Sequence, residues 1–401
     1  MPEAVIVDAV RTPIGRAFKG SLRHVRADEL AAVPLRALQE RNPDVDFGQT
    51  DDLMMGAASA IGEQGYNVAR NAGLLSGLDH HVPATTVNRF CASSLQTLRM
   101  AFHAITVGEG DQYIAAGVES VSRAGLGAGI PDEAKHPQLA GGDGSLFDVY
   151  IPMGLTAENV AERCNVSREA QDEWAVISQN RAVDAQESGH FDKEIVPVET
   201  PAASEQDKEG NEVAVEAGSV TKDDGPRPGT TAEKLAALKP AFREDGTVTA
   251  GNACPLNDGA AAVLVMSREK AESLGLKPKA RIVASSVAAI RPEIMGLGPI
   301  PAVEKVLKQA RMTIDDIDAL ELNEAFAAQV VPCREEWGID PEKLNPFGGA
   351  IALGHPFGMT GARIMTTLLN DLETLDGTIG LETMCVAGGM GQAMIVERLA
   401  G

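Results

Sequence analysis

No apolar run in this 401-residue sequence approaches the roughly 18 residues that a membrane-crossing helix needs, so no span is expected. The opening MPEAVIVDAVRTP lacks the basic start and long apolar stretch of a secretory signal, and a cytoplasmic location is the expectation. Positive charge is short: 35 Lys and Arg stand against 57 Asp and Glu, a formal net charge of -22. A field of that sign repels nucleic-acid phosphates and anionic lipid headgroups, which argues against both as partners. Cysteine is sparse and scattered, at positions 91, 164, 254, 333 and 385, with no CxxC or other short zinc-ligand spacing. Structural zinc is unsupported and no metal is expected. An odd number of dispersed thiols without a signal suits a reducing compartment, where each is either buried filler or a reactive group.

What is present is globular: 44% hydrophobic and 23% charged residues over a length that supports two or three packed units. Short β-branched or apolar runs alternate with Ala/Leu-rich stretches of helical period. AVIVDAV (4 to 10), ADELAAVPLRALQE (27 to 40) and DDLMMGAAS (51 to 59) make an α/β pattern with a largely parallel sheet. The order returns in ARIVASSVA (280 to 288), PAVEKVLKQARM (301 to 312) and IDALELNEAF (317 to 326), which reads as two similar halves. Gly56 lies 35 residues before Cys91, and Asn323 lies 36 before Met359, each end point opening a helical run. Between the halves, about 121 to 250 changes character: glycine-rich turns, two helical stretches and a polar tract. Inserted loops are where binding residues collect on a rigid scaffold, and Trp174, Met153 and Phe242 point to a packed subdomain rather than a solvated linker.

Cys91 sits in TTVNRFCASSLQTLRMAF, directly before Leu95, Leu98 and Phe102 at helical spacing, so its sulfur lies near a helix N-terminus. Such an end, or a nearby imidazolium, raises the thiolate fraction of a free thiol; a buried small hydrophobe is the plainer alternative. The glycine-rich NPFGGAIALGHPFGMTGAR (345 to 363) surrounds His355 and brings backbone close to a ligand. Histidine there can accept a thiol proton or donate to oxyanion charge, or can simply be a structural residue in a tight turn; Met359 is packing. Cys385, in LETMCVAGGMGQAMIVE, is followed by small residues that leave a sulfur accessible and backbone N–H groups free, though core filler fits equally. Asn323 and Glu324 follow a strand-like run, at the strand end where α/β sheets place ligands or where a helix is capped. Asn252, Cys254, Asn257 and Asp258 stand before a strand, explicable by turn chemistry alone.

In combination, NRFCASS, GNACPLNDGAAA, NEAFAAQ, GGAIALGHPFGMTGAR and MCVAGGMG resemble the signature set of the thiolases over essentially the whole chain, and are most similar to the degradative 3-ketoacyl-CoA thiolases. The resemblance implies an α/β thiolase fold of two βαβαβαββ halves in a five-layered α-β-α-β-α core. The N-terminal half would span 1–120, completed by 251–273; an inserted loop domain that binds CoA would span 121–250; and the C-terminal half would span 274–401. It implies Cys91 as the acylated nucleophile, His355 as its activating partner and Cys385 as acid/base. Asn323 would hold a water that joins His355 in one oxyanion hole, and the backbone N–H groups of Cys91 and Ala387 would form the other. For CoA, a co-substrate rather than a permanent cofactor, it implies Arg227 as the cation. Met153, Phe242, Ala250, Met295 and Phe326 would be apolar lining of the pantetheine channel, and Cys254 a contact to the pantetheine amide.

Those residue types suit cleavage of the C2–C3 bond of a 3-ketoacyl-CoA, which needs a nucleophile at C3, a place for enolate charge and a proton for the departing carbon. Thiolysis in β-oxidation is the expected activity. A biosynthetic acetoacetyl-CoA-specific enzyme and a catalytically inactive CoA-ester or lipid binder are the alternatives. A homodimer or homotetramer is implied, and a β-oxidation complex would need a hydratase/dehydrogenase partner. Three positions depart from the family pattern. Ala387 replaces a glycine and can donate its N–H only if its backbone avoids positive φ; Cys254 replaces a serine; Pro152 precedes Met153 where some biosynthetic members carry histidine.

Overall fold

The computed structural model describes residues 2–124, 130–206 and 210–399. The glycine-rich stretch at 125–129, part of the expected insertion, lies outside the described residues.

The first half runs β1 (Ala4–Arg11), α1 (Ala27–Arg41), β2 (Asp52–Gly56), α2 (Val68–Leu75), β3 (Ala84–Val87), α3 (Ser93–Val107), β4 (Gln112–Ser120) and, after the insertion, β5 (Asn257–Ser267). The insertion contributes α4 (Met153–Cys164) and α5 (Arg168–Glu187). The second half runs β6 (Ala280–Ala289), α6 (Pro299–Ala310), β7 (Ala319–Leu322), α7 (Ala327–Trp337), α8 (Thr360–Thr374), β8 (Ile379–Val386) and β9 (Met390–Arg398). Strand order is β7-β8-β9-β6-β1-β5-β4-β2-β3, so β1-β5-β4-β2-β3 in one half is repeated as β6-β9-β8-β7 in the other. The counterpart of β3 in the second half shrinks to one parallel bridge between Leu344 and Leu320. The sheet is mixed rather than largely parallel as expected: β2 pairs parallel with β3 and β4, and β7 with β8, whereas β1–β5, β5–β4, β6–β9 and β8–β9 are antiparallel. The junction of the halves, β1–β6, is also antiparallel, through Val5–Arg281 and Ile6–Ala280.

Every residue of β1 and β5 is buried, as expected of strands covered by helices on both faces. On one outer side α1 and α2 pack Leu30, Leu35 and Val68 against Leu53, Met55 and Ile114. On the other, α6 and α7 pack Val303, Val306 and Val330 against Leu320, Leu381 and Ile395. Between the half-sheets, Leu95 and Leu98 of α3 and Ile364 and Leu368 of α8 meet Met54, Ala115, Met384 and Val386. The result is five layers, helix, sheet, helix, sheet, helix.

The two central helices start side by side. A Cβ on Gly361 would collide with the backbone of Leu95, and the Ala362 N–H donates to Ser94 Oγ at 2.9 Å. This close approach sets the loop before α3, which holds Cys91, against the loop before α8, which holds His355.

The insertion differs from the expectation of a self-contained packed unit. Trp174 is buried, but among residues of the second half's outer core, because its indole N–H reaches Glu324 there at 2.9 Å. Met153 is only half-buried and Phe242 is exposed. The polar tract forms two small antiparallel hairpin-like sheets, Val198–Thr200 with Gly218–Val220 and Ala203–Gln206 with Glu212–Val215.

Candidate active site

Cys91 lies in a 3-10 turn, Phe90–Ala92, that runs straight into α3. Phe90 adopts φ +47, a left-handed conformation costly for a bulky side chain and held here by its surroundings. The Cys91 sulfur faces two backbone N–H groups, its own and that of Ala387. Burial nevertheless pushes the thiol up to about 11, with the charge of Glu119 adding to the rise.

Ala387 begins the turn between β8 and β9. It is not among the residues with positive φ; Gly388 and Gly389, at +77 and +78, take the left-handed positions instead. The condition placed on an alanine here is met, and its N–H is aimed at the Cys91 sulfur. Cys385, the next-to-last residue of β8 before that loop, is fully buried, and burial together with the nearby Cys91 holds its thiol well above the ordinary range. Cys254 is likewise pushed up by burial and by Cys91, so the three sulfurs lie within electrostatic reach of one another.

His355 follows Gly354, whose φ of +113 and contact with the Asn257 side chain leave no room for a Cβ. Asn257 and Asp258 open strand β5 rather than precede it, because their backbones pair with Arg16 and Gly15. Asn257 Oδ1 accepts from the His355 N–H at 2.9 Å while its Nδ2 donates to Gly15 O at 3.0 Å, tying the histidine loop to the first half. Thr360 donates its hydroxyl to Pro356 O at 2.7 Å and lies 2.7 Å from His355 Nδ1. That network assigns the imidazole proton to Nδ1, which donates to Thr360, and leaves Nε2 as the free base. Asn323 Nδ2 lies 3.2 Å from Nε2, both residues being buried. Burial, reinforced by Arg363, depresses the imidazole to about 3.

Gln329, not singled out from sequence, and Glu324, whose role here was not foreseen, support this centre. Gln329, on α7, accepts from the Cys385 thiol at 3.1 Å through Oε1 and donates through Nε2 to Asn323 O at 3.3 Å. It is the last residue of the NEAFAAQ motif, which was the available signal. Glu324, weighed only as a strand-end or cap residue, is buried and accepts from Trp174 Nε1, Ser178 Oγ, Asn345 Nδ2 and the Ile351 N–H at 2.6 to 3.1 Å. Four donors on one buried carboxylate pin α5 and the 345–351 segment to the end of β7.

The expected CoA contacts divide. Met295 and Phe326 are buried in one apolar cluster with Cys385, against which Met153 and Cys254 pack, and Phe242 meets Phe326 edge to face at 6.0 Å. Ala250 is exposed in the adjoining turn. Arg227 is exposed and stands apart from that cluster. Its backbone N–H donates to Gln179 Oε1 at 2.9 Å, and its guanidinium, near that of Arg16, has no carboxylate within ion-pair distance among the described residues.

A thiolase N-terminal domain model matches residues 4–269, and a thiolase C-terminal domain model matches 276–398. With the five-layered fold these matches define an acyltransferase. The chain belongs to the thiolase family. It is 47% identical to the beta-ketoadipyl-CoA thiolase of Acinetobacter baylyi and 47% identical to the 3-ketoacyl-CoA thiolase of Erwinia tasmaniensis, each alignment covering 100% of both chains. It superposes on the solved acetyl-CoA acetyltransferase of Bacillus anthracis with a TM-score of 0.87 at 40% identity, covering 100% of this chain and 99% of that one. No helix among the described residues is long and apolar enough to cross a membrane.

Proposed function

We propose that the protein is a 3-ketoacyl-CoA thiolase that cleaves its substrate with CoA, using Cys91 as nucleophile. The observation that carries this reading is the convergence of the Cys91 and Ala387 N–H groups on the Cys91 sulfur, beside Cys385. His355 Nε2 takes the Cys91 proton as the sulfur adds to the C3 carbonyl, and the two N–H groups hold the alkoxide, each such donor contributing roughly 3 kcal/mol in a water-poor site. The C2–C3 bond breaks, leaving the acyl group on Cys91 and an acetyl-CoA enolate whose oxygen accepts from the Nε2–H of His355 and from a water held by Asn323. Cys385 gives its proton to the enolate carbon. The Cys385 thiolate then deprotonates CoA, the CoA sulfur attacks the acyl thioester, and departing Cys91 recovers its proton from His355.

The high Cys91 and low His355 values favour a neutral thiol and neutral imidazole before substrate binds, so proton transfer accompanies attack. CoA is the co-substrate, and residues 121–250 supply half of its proposed contacts within the three-part division expected from sequence. Met153, Phe242, Cys254, Met295 and Phe326 line the pantetheine arm, with Ala250 beside it, and Arg227 with Arg16 meets the phosphates. No permanent cofactor or metal takes part.

Fatty-acid β-oxidation in the cytoplasm is the proposed setting. The beta-ketoadipyl-CoA thiolases at similar identity favour a second substrate, a 3-oxoacyl-CoA whose chain ends in a carboxylate. A series of thiolysis rates on acetoacetyl-CoA, longer 3-ketoacyl-CoAs and 3-oxoadipyl-CoA separates these. Wild type is expected to accumulate an acyl adduct on Cys91 by mass spectrometry, and Cys91→Ala to lose both adduct and turnover. A Cys91→Ala variant as fast as wild type would end the mechanism.

A further inference from the structure

Cys385 must deliver a proton to a carbon and recover one from a thiol, so the direction of its S–H bond matters as much as its acidity. The thiol is fully buried, and its hydrogen-bond acceptor is the Gln329 Oε1 at 3.1 Å. Gln329 is itself fully buried, and its other end is committed: Nε2 donates to the main-chain carbonyl of Asn323 at 3.3 Å. That second bond fixes which way round the amide lies, because a flipped amide would set its carbonyl oxygen against the carbonyl of Asn323. The Asn323 side chain in turn lies on His355. One glutamine therefore spans the acid/base thiol and the residue beside the imidazole.

We propose that Gln329 is a positioning residue that holds the Cys385 S–H in one orientation and couples that orientation to the Asn323–His355 pair. The proposal rests on the thiolase reading of the site for its kinetic consequence, but its geometric content does not. A carbonyl oxygen on a resting thiol keeps the proton on sulfur and the sulfur in one rotamer. Losing it frees the thiol to rotate while leaving the Cys91 sulfur and its two N–H groups in place.

Gln329→Met keeps volume and removes both hydrogen bonds; Gln329→Glu, held neutral by burial, keeps an oxygen against the sulfur and an O–H to donate to Asn323 O. The first readout is the infrared S–H stretching band of Cys385, assigned by difference against Cys385→Ala. It is expected at higher wavenumber in Gln329→Met and near the wild-type position in Gln329→Glu. The second is thiolysis: Gln329→Met is expected to lose about tenfold or more in kcat with KM for CoA within about twofold, and Gln329→Glu to lose less. Circular dichroism and an unchanged rate of Cys91 alkylation by iodoacetamide confirm that the variants fold. An unmoved S–H band in folded Gln329→Met overturns the proposal, as does a moved band with kcat within twofold of wild type. A moved band in a protein whose wild type cleaves no 3-oxoacyl-CoA upholds the geometric coupling and overturns the thiolase reading instead.

Discussion

The single residues proposed to carry the proton chemistry sit in environments that make opposite demands. His355 is buried neutral, its pKa depressed from 6.5 to about 3 by desolvation. The unfolded chain binds more protons than the folded one between those values, so the histidine's share of stability is complete above about pH 6.5 and drains as pH falls toward 3. By linkage that share is on the order of 4 kcal/mol. Denaturant midpoints between pH 7 and 4 are expected to fall less steeply in His355→Gln than in wild type. Cys91, at about 11, is expected to react with iodoacetamide ever faster through pH 9 in the free protein. A plateau from pH 6 to 8 would indicate a resting thiolate–imidazolium pair and contradict the neutral pair proposed above. Ala387→Gly should leave turnover near wild type, since the backbone there already lacks positive φ. Ala387→Pro, which removes the N–H, should cost about 100-fold or more in kcat. The motifs made Cys91, His355 and Cys385 legible as candidates. They could not show that Ala387 keeps its donor, which depends on the two glycines after it taking the left-handed strain. The NEAFAAQ motif contained Gln329 without revealing its role, since a glutamine on a helix looks the same whether it faces solvent or a buried thiol.

At the scale of elements, the geometry depends on where the two central helices begin. Gly361 lets α8 approach Leu95 at the start of α3, and Ser94 locks the contact with a hydrogen bond. Gly361→Ala forces the helices apart and is expected to cost about 1–3 kcal/mol, measured as a lower urea midpoint at unchanged m. Because Cys91 and His355 sit just outside those helix ends, kcat should fall with it. The alternation of apolar runs foretold strands and helices well, as in β1 and β5, whose continuous burial is written in AVIVDAVR and AAAVLVM. Asn257 was opaque for a physical reason: an asparagine at a strand start looks like turn chemistry, and only the fold brings the His355 loop over it. The insertion was misjudged in its packing because Trp174 signalled a core without saying whose; Glu324, at 2.9 Å, supplies the answer.

For the whole molecule, the strongly negative charge and the exposed Arg16–Arg227 pair would act in opposite directions on a polyanionic co-substrate, if that pair meets the phosphates as proposed. Arg227→Ala is expected to raise KM for CoA several-fold with kcat little changed, in steady-state kinetics at fixed ionic strength. The sheet ends at β3, whose outer edge carries no further strand in this chain among the described residues. Pairing of two such edges is the proposed basis of a dimer. Sedimentation should find wild type at least dimeric and Thr85→Lys shifted toward monomer. The doubling of the chain was readable from the recurring order of segments. The shrinkage of one strand to a single bridge at Leu344 was not, because nothing in a short polar-flanked run marks lost pairing.

The Cys91 sulfur and the second N–H that faces it, that of Ala387, are separated by 296 residues of chain (387 − 91), with the cysteine first. On the mechanism proposed above, the nucleophile therefore leaves the ribosome long before its anion-stabilising partner is made. Until the closing hairpin forms, Cys91 lacks one of the two donors proposed to hold the alkoxide, so the appearance of an acylated Cys91 is expected to double as a timer for completion of the fold.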